Sequence, residues 1–155
     1  NNRKKVFEIA TAKGEFEFPY ARTRPRPERG NYVRKVYVDK ELGNEALTYV
    51  LESGREGSVH LDRVLEYNQE PEYMKDLLLY NVTVAVQDRI EESPLSKREL
   101  ARRLGTSAAQ LYRLLDPANS HKSIARMLTI LHILDCEVTL VIKDRHGTQT
   151  VESLP

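Results

Sequence analysis

Gln110 and Arg113 lie three residues apart in the stretch Ser107–Leu115, SAAQLYRLL, so on a helix they share one face. A carboxamide and a guanidinium can each make two parallel hydrogen bonds to a flat donor–acceptor edge. Gln matches adenine N6/N7 and Arg matches guanine O6/N7, each worth about 1–3 kcal/mol of discrimination between bases. Ser107, Ala108 and Ala109 precede them. The two alanines offer methyl contact with thymine and no side-chain hydrogen bond, which leaves Arg113 and the shape of the duplex to carry more of the reading. Lys97, Asn119, His121 and Lys122 are polar or cationic groups of the kind that hold phosphate, and Tyr112 suits either the edge of such a surface or the core. Other chemistries lack their residues. His60, His121, His132 and His146 are scattered without metal-ligand spacing, and Cys136 has no second cysteine. No P-loop, GxGxxG or GxSxG pattern occurs, and Glu91-Glu92 reads as a solvated helix end. Neither an enzyme nor a bound cofactor or metal is expected.

Two short helices must position these side chains. Ser96 can cap the first, with Glu99 three residues on as the second half of a capping box. Leu100, Ala101 and Leu104 form its buried face, and Gly105 ends it. Ser107 with Gln110 repeats the capping pattern, and Leu111, Leu114 and Leu115 bury the second helix. Two helices joined by a turn of three to four residues with a glycine describe a helix-turn-helix. Ala101 is small where the helices should cross. This stretch, SKRELARRLGTSAAQLYRLL, resembles the Xre/Cro-type helix-turn-helix family of phage repressors and bacterial regulators. The tail RLLDPANSHKS and the amphipathic segment after it are similar to the corresponding part of HicB-type antitoxins.

The resemblance implies a sequence-specific transcriptional regulator that binds double-stranded DNA as a homodimer, most simply a repressor. Ser107–Leu115 would be the recognition helix. Lys97 stands where the family often has a glutamine. The alternative it implies is an antitoxin that represses its own operon and holds a toxin or other protein through residues 1–67.

Charge is distributed unevenly in a chain whose net charge is only +1. Residues 1–36 carry ten Lys/Arg against four Asp/Glu, residues 37–92 five against thirteen, and residues 93–128 seven against two. The second basic segment coincides with the two helices, as a DNA-facing surface requires. No apolar run approaches the ~18–20 residues of a membrane helix, no N-terminal segment reads as a signal peptide, and the lone cysteine suits a reducing compartment. A cytoplasmic protein is expected.

The fold class expected is α+β: a small antiparallel β module at residues 5–67, then a lambda-repressor-like helical bundle with a terminal strand at residues 73–144. Five strands are anticipated in the first part. Phe16, Phe18 and Tyr20 alternate with Glu15 and Glu17 as one half-buried strand. ARTRPRPERGN, residues 21–31, reads as a mobile loop whose Arg22, Arg24, Arg26 and Arg29 can meet phosphate or merely water. Leu61–Tyr67 reads as a closing turn of helix. Met74, Leu77, Leu78, Val82 and Ala85 suggest the buried face of one helix or two, carried on by Val86 and Ile90 to Ser93. Ser123 should cap a last helix, Ile124–Asp135, with Met127, Leu128, Leu131 and Leu134 inward. Val138–Ile142 reads as a strand needing a partner, in the N-terminal sheet or a second copy, and residues 145–155 as a frayed tail.

Overall fold

The protein is described by a computed structural model covering residues 1–145 and the backbone of 149–152. The class is α+β, with small antiparallel sheets and five α-helices among the described residues. None of these helices is long and apolar enough to cross a membrane. The chain divides into two compact units, Asn1–Lys75 and Asp76–Pro155.

The first unit is built from five strands. β1 (Val6–Thr11) and β2 (Gly14–Pro19) form a hairpin in which Phe7 faces Phe18 in register. β3 (Val33–Val38), β4 (Ala46–Leu51) and β5 (Glu56–His60) form a second antiparallel sheet in that order. α1 (Leu61–Tyr67) follows directly. Alternation turns Phe7, Phe18, Tyr49, Leu51 and Val59 to one side, where they meet Tyr20 and Val64 in a single core. Tyr49 is wholly buried, its ring 5.0 Å from that of Phe7.

The arginine-rich loop after β2, whose composition suggests a mobile segment, is anchored at several points. Thr23 and Pro27 are buried, and the Tyr49 hydroxyl donates to the Pro25 carbonyl at 2.6 Å. The Ser53 amide donates to the Asn31 side chain, and the Tyr32 amide to Glu52. Anchors contributed by β4 and by the turn after it therefore tie down a segment whose own sequence is polar and proline-rich.

α2 (Pro71–Glu92) is one unbroken helix. Its buried residues are Leu79, Thr83, Val86 and Ile90, spaced by four, three and four. Val86 and Ile90 are buried as expected and Val82 packs against the same core, whereas Leu78, 45% exposed, and Ala85 lie off the expected face. Three consecutive leucines, Leu77 to Leu79, fit more than one helical phase, and the true stripe passes through a threonine. Thr83 is tolerated there because its hydroxyl donates to the Leu79 carbonyl at 2.6 Å.

α3 (Lys97–Leu104), α4 (Ala108–Leu114) and α5 (Ile124–Ile133) complete the second unit. Val86 and Ile90 of α2 join Leu100, Ala101, Leu111, Leu114, Met127 and Ile130 in its core. On α5 the inward residues are Met127, Ile130 and Leu131, while Leu128 is 41% exposed, contrary to expectation. β6 (Leu140–Lys143) finds its partner within the chain. It pairs antiparallel with β7 (Gln149–Glu152) in a two-stranded sheet, a partner beyond the two expected from sequence. Residues 149–152 are thus a strand where a frayed tail was expected, and Thr150-Val151 supplies the β propensity for it. The remainder of that tail, residues 146–148 and 153–155, and with it His146, lies outside the described residues.

Candidate nucleic-acid interface

The joint between α3 and α4 follows from its caps. The Ser96 hydroxyl accepts the Glu99 amide at 3.1 Å, opening α3. Gly105 closes it at φ 72°, ψ 35°, the left-handed conformation that costs glycine least. With the chain so turned, the Gly105 amide reaches the Arg102 carbonyl and the Thr106 amide the Ala101 carbonyl, at 3.1 and 3.0 Å. These two bonds form a Schellman closure. Ser107 then opens α4 by accepting the Gln110 amide at 3.2 Å. Ala101, 5% exposed, lies in the core with Leu111 and Leu114.

Glu99 does not return the bond to Ser96 that a full capping box supplies. Its carboxylate is gripped by Arg102 at 2.6 and 2.9 Å and by Arg103 at 3.1 Å. Hydrogen bonds from Arg102 and then Arg103 hold its pKa down to about 2. A carboxyl whose folded pKa is depressed contributes stability above the ordinary carboxylate range and loses it as pH falls toward the folded value. Thermal melts of the protein and of Glu99→Gln are therefore expected to differ at neutral pH and converge as the pH is lowered toward about 2. Parallel curves across that span would show that the Glu99 cluster contributes nothing.

With Leu111, Leu114 and Leu115 buried, the outer side of α4 presents Ser107, Ala108, Ala109, Gln110, Tyr112 and Arg113, all exposed. Tyr112 is 59% exposed and belongs to this surface rather than to the core. The Lys97 ammonium stands over its ring, 5.5 Å from the centroid. This cation–π contact brings the start of α3 to the same face. Arg98 is exposed beside Lys97 and was not singled out from sequence. Arg113 has no ion-pair partner among the described residues, since the Asp116 carboxylate instead accepts the Ala118 amide at 2.9 Å. With Glu99 neutralised by two arginines, the face has uncommitted positive charge and no uncommitted acid at its α3 edge.

The loop after α4 behaves otherwise. Lys122 is buried at 8% exposure, and its ammonium donates to the Leu114 and Asp116 carbonyls at 3.0 and 2.7 Å. Burial pushes its pKa below the usual lysine value, partly countered by the Asp116 carboxylate. Asn119 is half-buried. Its amide donates to the Arg113 carbonyl at 3.1 Å and its oxygen accepts the His121 amide at 3.0 Å. From α2, the Gln87 amide donates to the Leu115 carbonyl at 2.7 Å. These side chains close the C-terminus of α4, which has no glycine to do so. Lys122 and Asn119 are thus helix caps, a correction to their expected place as phosphate ligands, and of that trio only His121 remains exposed.

Comparisons with known proteins bring no match, whether to a family model, a curated protein or a solved structure.

Proposed function

We propose that the chain is a sequence-specific DNA-binding transcriptional regulator in which α3 and α4 act as a helix-turn-helix within a lambda-repressor-like bundle. α4 enters the major groove, and two copies bind a two-fold site with half-sites about 34 Å apart. The observation that carries this reading is the outer face of α4. It presents Gln110 and an Arg113 without an ion-pair partner among the described residues, flanked by Lys97 at the α3 N-terminus. Gln110 and Arg113 read bases. Lys97, Tyr112, His121 and the amides at the start of α3 hold the backbone.

The deciding experiment is binding to the DNA upstream of the protein's own gene, with competitor DNA and at two salt concentrations. Binding should survive competitor and weaken with salt as counterions are released. Arg113→Ala should lose about 1–3 kcal/mol of discrimination between specific and competitor DNA while retaining much of its non-specific affinity. Absence of binding at low salt, or a variant that discriminates as well as the parent, would overturn the assignment.

A further inference from the structure

The first unit contains a concave site that the DNA-binding reading does not use. It is a cavity of about 690 Å³ lined by Lys4, Lys5, Arg26, Glu28, Arg29 and Tyr32, among others. Its walls are the segment before β1 and the loop after β2. The Tyr20 amide donates to the Lys5 carbonyl at 2.9 Å and joins them. The Asn2 side chain ties the same segment to Val33 by two hydrogen bonds, of 3.0 and 3.3 Å. Lys4 is committed to Glu8 and Glu17, at 3.1 and 3.4 Å. Lys5, Arg26 and Arg29 have no ion-pair partner among the described residues, which leaves three cations facing the single carboxylate of Glu28. Cations of one sign around one concavity repel each other unless an anion lies between them.

We propose that this cavity binds a small phosphate-bearing molecule of nucleotide size. The guanidinium groups of Arg26 and Arg29 match phosphate oxygens in fork geometry, and Lys5 adds a point charge. Tyr32, 40% exposed, supplies an aromatic wall for an apolar or heterocyclic moiety. A duplex is disfavoured as the occupant. The site is a hollow within the ~300–1,000 Å³ typical of small-molecule pockets, whereas DNA grooves take a protruding element.

Calorimetric titration of the full chain with inorganic pyrophosphate, adenosine triphosphate and adenosine tests this. Binding of either phosphate, absence of adenosine binding, and a loss of about tenfold or more in affinity in Arg26→Ala/Arg29→Ala are expected, because each guanidinium removes a charge-assisted contact. Lys40→Ala/Arg55→Ala removes two exposed charges of the same unit outside the cavity and should bind like the parent. Both double variants alter exposed side chains, and an unchanged melting temperature confirms their folding. The proposal falls if neither phosphate binds, if the Arg26/Arg29 variant binds unchanged, or if the control variant loses as much. It also falls if the arginine variant weakens only duplex DNA while the phosphate titrations are silent, which would make the loop a DNA contact.

Discussion

Gly57→Ala should destabilise the first unit by about 3 kcal/mol, the upper range for overpacking a filled core. Gly57 stands opposite Tyr49 in the β4–β5 register, beneath a tyrosine ring that is wholly buried. A Cβ at Gly57 would overlap the Tyr49 hydroxyl and ring and come within 2.8 Å of the Arg24 carbonyl oxygen. Neither neighbour can yield. The ring is wedged against Phe7, and the Arg24 carbonyl belongs to backbone fixed by the Tyr49–Pro25 bond. A loss of that size is a large fraction of the stability of a small domain. Urea denaturation followed by tyrosine fluorescence measures it. Tyr49→Phe is the comparison: it keeps the ring and removes one hydrogen bond, at about 1 kcal/mol. If Gly57→Ala cost no more than Tyr49→Phe, the close approach would not constrain position 57.

Lys122→Met should cost the second unit about 2–3 kcal/mol, because it strips a buried charge-assisted donor from two carbonyls at the end of α4. Methionine retains the length and apolar character of the lysine stem, so the loss reports the ammonium and not a cavity. Urea denaturation followed by helical circular dichroism reads it. A change within about 0.5 kcal/mol, the range of ordinary surface substitutions, would contradict a capping role. If the chain binds DNA as proposed, the salt dependence of binding separates that role from the one first expected of this residue. A phosphate ligand contributes about one unit to the slope of affinity against salt. A cap contributes none, so folded Lys122→Met should keep the parental slope.

Legibility from sequence tracks distance along the chain. Ser96, Ser107 and Ser123 cap helices with amides three residues away, and Gly105 closes α3 with its immediate neighbours. Such devices are written within one turn, and they could be read. The alternation of Phe16 and Phe18 gave β2 for the same reason. The Tyr49–Pro25 bond joins residues 24 apart and Gln87–Leu115 joins residues 28 apart, with no local pattern to announce either. Lys122 was misplaced because its sequence context, a polar loop after a helix, is that of a phosphate ligand. The signal available was negative: α4 ends in Leu-Leu-Asp-Pro without glycine, so its carbonyls required donors from elsewhere. The phase of α2 was lost only in its first half, in a run of leucines where periodicity carries no information, while Val86 and Ile90 kept it in the second.

The anchoring of the loop between β2 and β3 also determines how any molecule would be received there. A free segment of this length would surrender backbone entropy on binding, of order 1 kcal/mol for each residue ordered. Here Thr23, Pro25, Asn31 and Tyr32 are already fixed by bonds formed in folding. That cost belongs to the native state, so a ligand meets a preorganised surface. Backbone order parameters across residues 23–32 should then be high in the free protein and change little on saturation.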